Sequence, residues 1–512
     1  MSDKKTFYIT TPIYYVNDKP HIGHAYTSIT GDVLARYHRM KGDQVFFLMG
    51  VDENSQKNVE AFEKSGCETL EQYLGIQAAI WQQAWDSINI TNDGFIRTTE
   101  ERHKIGVYKF FDLVNKKGDI YKGLYKGYYC NGCEEFIKQS DLLDGEICAM
   151  HKKKVETIEE ENYFFSASKY KDALLAHIEK NPDFIQPISR RNEVVNYIKD
   201  HFGDVSISRH FQVAKCGIPL PIDPDHAIYV WFDALINYLT GIGYGTDDEA
   251  FDVLWPASMH IVGKDILKFH CALWPAMLMS AGLPLPEKVF AHGFFTIDGD
   301  RIGKSLGNAI DPVELSRTYG VDTVRYFLMR EIPFGEDGDF SFERLKERYE
   351  SDLAKGLGNF ASRVLTLAEK VDEKSLDDIT GLDDEEAQQM IVNAWEQYAI
   401  GIEKVALDDV LKTVWECLRW GDKYIEQNKP WALAKEDPEH FAQTMVLLLE
   451  VLRHISAMVY PFLPETAEKL WKLLDIESLE RSHSSAQLIK WIPGAVTKPT
   501  KGVPLFPPIE QP

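Results

Sequence analysis

The first hundred residues alternate short apolar runs with longer stretches in which apolar positions recur at helical spacing. The runs at 7–10 and 45–49 predict buried strands, and the second run ends at a glycine. Helical spacing over 24–40, and again around 69–89 and 98–117, predicts amphipathic helices. Strands that alternate with helices in this way are typical of a doubly wound parallel α/β sheet.

The alternation stops between residues 120 and 165, where glycines, a cysteine cluster and a charged run predict an insertion with a small fold of its own. Strand signals resume at 228–230, 259–262 and 289–291, and a helix is predicted over 265–280. The pattern therefore predicts a sheet whose two halves are separated by an insertion of roughly a hundred residues.

Beyond residue 341 the strand signals cease and helical patterns follow one another, which predicts an all-α region. No apolar run approaches the length of a membrane-spanning helix, so we expect no transmembrane segment and no membrane partner. Five helices are predicted here, at about 341–370, 383–402, 405–428, 436–459 and 463–474.

The composition is that of a globular chain and limits its partners. Of 512 residues, 44% are hydrophobic and 26% are charged, which excludes a disordered chain. The 56 basic and 79 acidic residues give a net charge of −23, which argues against a nucleic-acid partner unless a basic site is local. No apolar segment follows the first lysines, and seven cysteines are too few for a disulfide framework, so we expect a cytoplasmic protein.

Two histidines mark a candidate nucleotide site. His21 and His24 lie between the first predicted strand and helix, at the carboxyl edge of the sheet, where phosphates bind at a helix N-terminus. The two imidazoles share one helix face and are able to donate hydrogen bonds to phosphate oxygens, while Gly23 lets an adenine approach the backbone. An ordinary helix start has the same pattern, so the motif alone leaves the function open.

A glycine-rich loop at residues 299–308 places Lys304 and Ser305 among small residues. The lysine is a point charge suited to a phosphate, and closure of the loop would bring it to a reacting α-phosphate. A surface turn has the same composition, so this loop is weak evidence by itself.

Three of the seven cysteines cluster with a histidine. Two residues separate Cys130 from Cys133, and two separate Cys148 from His151. Three thiolates and one imidazole complete a tetrahedral zinc site that has no open position for water or substrate. The cluster therefore predicts a metal with a structural role.

A His-Ile-Gly-His motif early and a lysine–serine loop late, on the two sides of a split nucleotide-binding sheet, resemble a class I aminoacyl-tRNA synthetase. Further segments look like the methionyl-tRNA synthetase family, in its type with a single CxxC…CxxH zinc knuckle. Those segments are 11–17, 229–234, 263–266, 274–276, 357–359, 429–431 and 504–507. The resemblance implies a Rossmann-like catalytic domain in two halves (1–118 and 226–298), a connective insertion with a zinc knuckle (119–225), a signature-loop and linking region (299–350) and an α-helical anticodon-binding domain (351–512).

The resemblance implies a methionine–tRNA ligase. Such an enzyme activates L-methionine with ATP to methionyl-adenylate and pyrophosphate, then transfers methionine to the 3′-terminal adenosine of initiator and elongator methionine tRNAs. It uses Mg²⁺ with ATP and one structural Zn²⁺ per chain. Catalysis is positioning and electrostatic stabilisation, without a protein nucleophile.

The residues that match the family's functional positions fall into four sets. Matches for ATP are His21, Gly23, His24, Asp265, Lys304 and Ser305, of which His21, His24 and Lys304 are the catalytic contacts. Matches for methionine are Ile13, Tyr15, Asp52, Trp231, Ala234, Leu235, Tyr238 and His270. Matches for zinc are Cys130, Cys133, Cys148 and His151, and matches for the anticodon are Asn359, Arg363 and Trp431.

The chain departs from the family's pattern at three places. The usual Gly-Thr-Asp-Glu-His-Gly is Gly-Val-Asp-Glu-Asn-Ser at 50–55, and the usual Lys-Met-Ser-Lys-Ser is Arg-Ile-Gly-Lys-Ser at 301–305. The C-terminal tRNA-binding and dimerising module of many relatives has no counterpart, so we expect a monomer. A synthetase for an aliphatic amino acid would need room for a large editing insertion. A non-ligase RNA-binding paralogue on the same scaffold is the alternative hypothesis.

Overall fold

The computed structural model describes residues 5–130, 135–137, 139, 142–149, 152–297, 299–302, 308–371, 384–476, 489–496 and 498–509. Cys133, His151, Lys304 and Ser305 lie outside the described residues.

The first part of the chain has the alternation that the apolar pattern predicts. Its third strand continues past the predicted end at Gly50, because it pairs in parallel with one neighbour as far as Val51 and with another as far as Asp52. A Cβ at Gly50 would lie 2.3 Å from the Ile96 carbonyl oxygen, so glycine here permits close strand packing instead of ending the strand. The elements are β1 (Thr6–Thr10), β2 (Tyr14–Tyr15), α1 (Ile22–Lys41), β3 (Gln44–Asp52), α2 (Gln56–Phe62), α3 (Leu70–Ser87), β4 (Gly94–Arg97) and α4 (Glu101–Lys116).

The insertion is built on a long antiparallel pair, β5 and β9, which leaves the catalytic region and returns to it. The predicted strand at 228–230 is wrong: β14 ends at Ile228 in a separate three-stranded sheet, and a helix begins at Val230. A short apolar run does not by itself distinguish strand from helix. The elements are β5 (Ile120–Cys130), β6 (Glu135–Ile137), β7 (Leu142–Leu143), β8 (Ile147–Cys148), β9 (Glu156–Phe165), α5 (Lys171–Lys180), β10 (Ile185–Gln186), α6 (Ile188–Asp200), β11 (Val205–Ser206), β12 (Ser208–His210), α7 (Phe211–Ala214), β13 (Pro219–Leu220) and β14 (Asp223–Ile228).

The second half of the sheet follows, with an irregular helical passage. The single helix predicted over 265–280 is a 3₁₀ turn at Lys264–Ile266, a π-helical turn at Phe269–Leu273 and then an α-helix. The elements are α8 (Val230–Leu235), α9 (Asn237–Thr240), α10 (Asp248–Leu254), β15 (Met259–Gly263), α11 (Trp274–Ala281), β16 (Val289–His292), β17 (Phe295–Ile297), β18 (Asp300–Arg301), α12 (Pro312–Tyr319), α13 (Val321–Arg330) and β19 (Gly338–Asp339).

The main sheet has the strand order β10-β16-β15-β1-β3-β2, and β4 also pairs with β3. Every pairing in it is parallel. Neighbouring residues of β1, Tyr8 and Ile9, belong to different hydrophobic cores, so this strand is buried on both faces. The chain passes from β1 to β3 on one side and places β15 on the other, so a crevice opens at the carboxyl ends of β1 and β15.

The last part of the described chain is helical, as predicted. One of the described helices, Pro438–Val459, is long and apolar enough to span a membrane by length and composition. However, 94% of its most apolar window is buried inside the structure, as in a core helix. The elements are α14 (Phe342–Arg348), a π-helical segment (Tyr349–Gly358), α15 (Asn359–Ala368), α16 (Glu385–Glu403), α17 (Leu407–Asn428), α18 (Pro430–Glu436), α19 (Pro438–Val459) and α20 (Pro464–Leu473).

A buried ionic network ties α1 to the helical region. Asp32 of α1 pairs with Arg36 at 2.7 Å and with Arg325 of α13 at 2.6 Å. Arg325 also donates to the carbonyl oxygen of Phe462, just before α20. Burial alone would raise the pKa of Asp32, but the two guanidinium groups hold it well below its ordinary value. The network fixes α1, and with it the candidate nucleotide site at its N-terminus.

Candidate functional site

The N-terminus of α1 is capped by the two histidines themselves. The Gly23 amide donates to His21 Nδ1 at 3.1 Å, and the His21 amide donates to His24 Nδ1 at 3.1 Å. Because Nδ1 accepts in both rings, the proton of each neutral imidazole lies on Nε2, which is then a donor. A Cβ at Gly23 would lie 2.9 Å from His21 Cε1, so glycine is needed for the cap itself. The cap therefore fixes the orientation and tautomer of two potential phosphate donors.

The glycine-rich loop returns next to this helix start. The Ile22 amide donates to the Ile310 carbonyl oxygen at 3.0 Å, which joins the first turn of α1 to the chain that follows the loop. Ile302, in the first half of the loop, is buried in the core. Both described ends of the loop are anchored, and Lys304 and Ser305 lie between them.

Two carboxylates lie at the carboxyl ends of strands that flank the crevice. Asp52 ends β3 and is 2% exposed; its Oδ1 accepts from the Asn54 amide at 3.1 Å, and its carbonyl oxygen accepts from the Asn58 side chain at 2.9 Å. Asp265 follows β15, and a Cβ at Gly263 would lie 2.8 Å from its Oδ1. The sheet edge thus presents one acidic group beside β3 and another beside β15.

A cluster of packed aromatic and histidine side chains, called the aromatic pocket below, lies behind the crevice. Nδ1 of His270 donates to the Ile266 carbonyl oxygen at 3.1 Å, so Nε2 accepts from the Tyr238 hydroxyl at 2.7 Å. Burial lowers the pKa of His270 to about 4 and raises the pKa of Tyr238. Both side chains are therefore uncharged at neutral pH.

The rest of the pocket is apolar, and its elements bring together residues that are far apart in the sequence. Trp231 stacks on Phe269 with ring centroids 3.7 Å apart and planes at 6°. Ala234 and Leu235 of α8 are buried. Tyr15 of β2 pairs with Asp52 across the parallel ladder, and Ile13 packs against the same core as Trp231.

Only part of the predicted zinc cluster can be described. Cys130 and Cys148 are each 2% exposed and share a small core with Val155. The Cys148 carbonyl oxygen accepts from the Lys152 amide at 2.9 Å. Among the described residues no group of three potential ligands is found, and two of the four predicted ligands lie outside them.

The predicted anticodon residues lie on neighbouring helices. Asn359 and Arg363 share one face of α15, and Trp431, at the start of α18, is 44% exposed. Arg363 forms ion pairs with Asp422 at 3.0 Å and with Glu426 at 2.5 Å, both on the helix that precedes Trp431. Burial raises the pKa of Asp422, and Arg363 opposes that shift. The ion pairs join α15, which carries Asn359 and Arg363, to α17, the helix that ends just before the one carrying Trp431.

Sequence reasoning missed three residues of the pocket region: Phe269, Asp233 and His103. Phe269 is hidden in a helical pattern, because only the π-helical turn directs it towards Trp231. Asp233 is a carboxylate in an otherwise apolar six-residue helix, which is a signal that sequence reasoning could have used. Its partner His103 lies in α4, far away in the sequence.

The fold and the crevice define a nucleotide-binding α/β protein with an appended helical domain. The profile of the family described as tRNA synthetases class I (M) matches residues 7–146 and 137–365. A second profile, for the anticodon binding domain of methionyl tRNA ligase, matches residues 381–503.

Individual relatives agree with the profiles. The chain is 43% identical to a methionine–tRNA ligase of Thermotoga maritima, over 98% of this chain and 80% of that one. It is 42% identical to a methionine–tRNA ligase of Streptomyces coelicolor, over 99% of this chain and 97% of that one. The Mycobacterium tuberculosis methionyl-tRNA synthetase in complex with methionyl-adenylate superposes with a TM-score of 0.92, 37% identity and coverage of 98% and 100%.

The chain belongs to the methionine–tRNA ligases of the class I tRNA synthetase family. The predictions of a ligase and of a parallel α/β sheet followed by a helical domain are confirmed. The zinc site, the Mg²⁺ requirement, the oligomeric state and the cellular location stay predictions.

Proposed function

We propose that this chain activates L-methionine with ATP and then transfers the methionyl group to the 3′-terminal adenosine of its tRNA. In the first step a methionine carboxylate oxygen bonds to the α-phosphorus, and the bond to the pyrophosphate oxygen breaks. In the second, a ribose hydroxyl oxygen bonds to the adenylate carbonyl carbon, AMP leaves and the hydroxyl proton is released. The main observation that supports this proposal is that the capped histidine pair, the two carboxylates and the neutral pocket lie at one edge of the sheet.

The phosphate end of the crevice supplies positive electrostatic potential. The Nε2–H groups of His21 and His24 are aimed by their caps, so no reorganisation is needed when charge develops on the α-phosphate. Lys304 adds a point charge from the loop that is anchored beside α1. Asp265 accepts a hydrogen bond from an ATP ribose hydroxyl. Mg²⁺ enters with the phosphates of ATP as part of the substrate.

The other end of the crevice recognises methionine. Asp52 accepts the substrate ammonium in a charge-assisted pair, at a site 2% exposed to water. The thioether enters the pocket of Trp231, Tyr238 and His270, where uncharged rings suit a polarisable sulfur. A protonated imidazole would disfavour this side chain, so the low pKa of His270 is part of the recognition.

Pyrophosphate exchange tests the proposal. The purified chain is incubated with ATP, labelled pyrophosphate and each of the twenty standard amino acids in turn. We expect exchange that depends on methionine and that exceeds exchange with leucine, isoleucine or valine. The absence of methionine-dependent exchange would overturn the proposal and favour the non-ligase RNA-binding alternative.

We also propose that Asn359, Arg363 and Trp431 read the anticodon. The exposed ring of Trp431 is able to stack on an unpaired base. Arg363 pairs with Asp422 and Glu426 near the end of α17, the helix that precedes Trp431, and its guanidinium leaves these carboxylates when it binds RNA. These three side chains thus recognise RNA locally, although the net charge of the whole chain is −23.

A structural zinc in the insertion is a further part of the proposal, with Cys130, Cys133, Cys148 and His151 as ligands. The donor set suits zinc, and the two described cysteines are buried in one small core with Val155. When bound, the metal stabilises the fold of the insertion and takes no part in the reaction.

Metal content tests this assignment. Elemental analysis of the purified chain is expected to give about one zinc per chain. We expect Cys148→Ser to lose most of the zinc, whereas Cys417→Ser, at a buried cysteine of the helical region, keeps it. A parent chain without zinc, or equal zinc in both variants, would contradict the assignment.

A further inference from the structure

A continuous chain of four polar side chains, three buried and one half-buried, lies behind the methionine pocket. Asn54 Nδ2 donates to Asp233 Oδ2 at 2.7 Å, and His103 Nε2 lies 2.7 Å from Asp233 Oδ1. His103 Nδ1 in turn lies 2.8 Å from Thr240 Oγ1. Asp233 and His103 are both fully buried. A buried carboxylate is costly unless it is paired, and here both oxygens are engaged.

The chain joins the two parts of the substrate site. Asn54 lies two residues after Asp52, and its backbone amide donates to Asp52 Oδ1 at 3.1 Å. Asp233 lies in α8, between Trp231 and Ala234 of the aromatic pocket. One carboxylate therefore connects the strand end that carries the ammonium-binding group to the helix that carries the side-chain pocket.

The far end of the chain is braced by helix packing. His103 is on α4 and Thr240 is on α9, and the two helices approach closely at Gly106. A Cβ at Gly106 would lie 2.3 Å from Thr240 Cγ2, so a side chain there would push the helices apart. With both ring nitrogens engaged, His103 has one orientation, and it holds Asp233 from behind.

Asparagine suits position 54 because one amide nitrogen supplies two protons. Asn54 Nδ2 donates to Asp233 at 2.7 Å and also reaches the Thr98 carbonyl oxygen at 3.3 Å. A neutral imidazole, the family's usual side chain here, has a single N–H and offers only one of these bonds. The departure from the family's motif is therefore matched to its partners in this chain.

We infer that Asp233 is a positioning residue for methionine, which sets the spacing between Asp52 and the aromatic pocket through the side chain of Asn54. The inference rests on the proposed function. Ammonium and thioether are separated by a carbon chain of limited length, so a shift of Asp52 relative to α8 weakens their joint binding. The Asp233 carboxylate is hydrogen-bonded to Asn54 and His103, neither of which belongs to the set proposed for ATP, so its effect falls on methionine binding.

The test is the methionine-dependent exchange assay with Asp233→Asn, a variant of nearly the same shape. The new amide is uncharged, and its NH₂ faces either the NH₂ of Asn54, where that bond is lost, or His103 Nε2, where the ring must change tautomer, so the charge-assisted bonds of the chain are lost or weakened in both cases. We expect the KM for methionine to rise roughly tenfold, while kcat changes less than about threefold and the KM for ATP is unchanged. The matched control is Asp322→Asn, at a buried carboxylate bonded to the Thr466 amide in the helical region.

Rescue distinguishes positioning from general damage to the fold. In the double variant Asn54→Asp/Asp233→Asn the amide and the carboxylate exchange places, and the amide oxygen now at position 233 is still able to accept from His103. We expect the KM for methionine to return part of the way to the parent value. Should Asp233→Asn fail to fold, Asn54→Ala, at a half-buried position, is expected to give the same selective rise in KM.

The possible results distinguish the failure of the proposed function from the failure of the positioning role of Asp233. A parent chain without methionine-dependent exchange overturns the proposed function and this inference together. Normal exchange in the parent, with an unchanged methionine KM in Asp233→Asn or in Asn54→Ala, overturns only the positioning role. A fall in kcat together with equal rises in the KM values for methionine and ATP, without rescue in the double variant, would show that Asp233 is a purely structural residue.

Discussion

The catalytic crevice and the anticodon face use side chains in opposite states. In the crevice, Tyr238 and His270 are buried, bonded to each other and uncharged. On the helical domain, Trp431 is 44% exposed and Arg363 is paired with carboxylates that are themselves partly exposed. Buried groups keep their geometry when a substrate binds, whereas exposed ions are screened by salt and exchange partners readily.

This difference indicates how each kind of recognition obtains its selectivity. A small amino acid is selected by a pocket whose shape and charge are fixed before binding. An RNA loop binds to the protruding ring of Trp431 and to the guanidinium of Arg363, which must leave its carboxylate partners when it binds the RNA. Substitutions in the crevice are therefore expected to change amino-acid activation, whereas substitutions on the helical face are expected to change only tRNA charging.

The strongest test of the fixed crevice separates capping from catalysis at His24. In His24→Asn the amide oxygen takes the place of Nδ1 and keeps the cap to the His21 amide, but the Nε2 donor is lost. We expect the pyrophosphate exchange rate to fall about a hundredfold, with the thermal unfolding midpoint unchanged.

His24→Ala is the matched control, because it removes both the cap and the donor. Its pyrophosphate exchange rate should fall as far as that of His24→Asn, and it should also unfold at a lower temperature than the parent. An exchange rate at the parent level in His24→Asn would show that the ring serves only as a cap.

The crevice also shows what sequence patterns predict and what they miss. The strands and α1 follow from the apolar periodicity, and the His21–His24 spacing places both rings at one helix start. Residue identity along the chain does not show which distant elements meet, so the pairing of His103 with Asp233 was not predicted. The same limit applies to Phe269, whose direction depends on a π-helical turn.

Local ambiguity explains the other errors. The apolar run at 228–230 fits a strand and a helix equally well, and it contains the boundary between β14 and α8. The short helix α18 escaped prediction because seven residues give little periodicity. The partners of Arg363 lie on another helix, so its ion pairs follow from packing alone.

On the helical face, Trp431→Ala is expected to act on tRNA and not on amino-acid activation. Stacking of a base on an aromatic ring contributes about 1–3 kcal/mol, so aminoacylation at limiting tRNA should fall roughly tenfold or more. Pyrophosphate exchange without tRNA should match the parent. Trp431→Phe keeps a ring and is expected to retain most of the charging; an equal fall in exchange would contradict the assignment to the anticodon.

The smallest expected effect concerns the uncharged state of the pocket. Burial lowers the pKa of His270 to about 4, below the value of about 6.5 in an unfolded chain. Between these values the unfolded chain binds a proton that the folded chain does not. Stability from this group is therefore complete above about pH 6.5 and is lost as the pH falls towards about 4, by at most ~1.4 kcal/mol per pH unit.

His270→Asn removes this proton uptake, so its resistance to denaturant should fall less than that of the parent between pH 7 and pH 5. His260, whose pKa is lowered by burial and by His270, changes in the same direction when His270 is replaced, so the two effects add. His440→Asn, at an exposed histidine of α19, is the control and should fall as the parent does. Equal falls in all three proteins would mean that His270 accepts a proton in the folded chain as readily as in the unfolded one. The pocket would then hold a charge at mildly acidic pH, and its contrast with the charged anticodon face would not depend on burial.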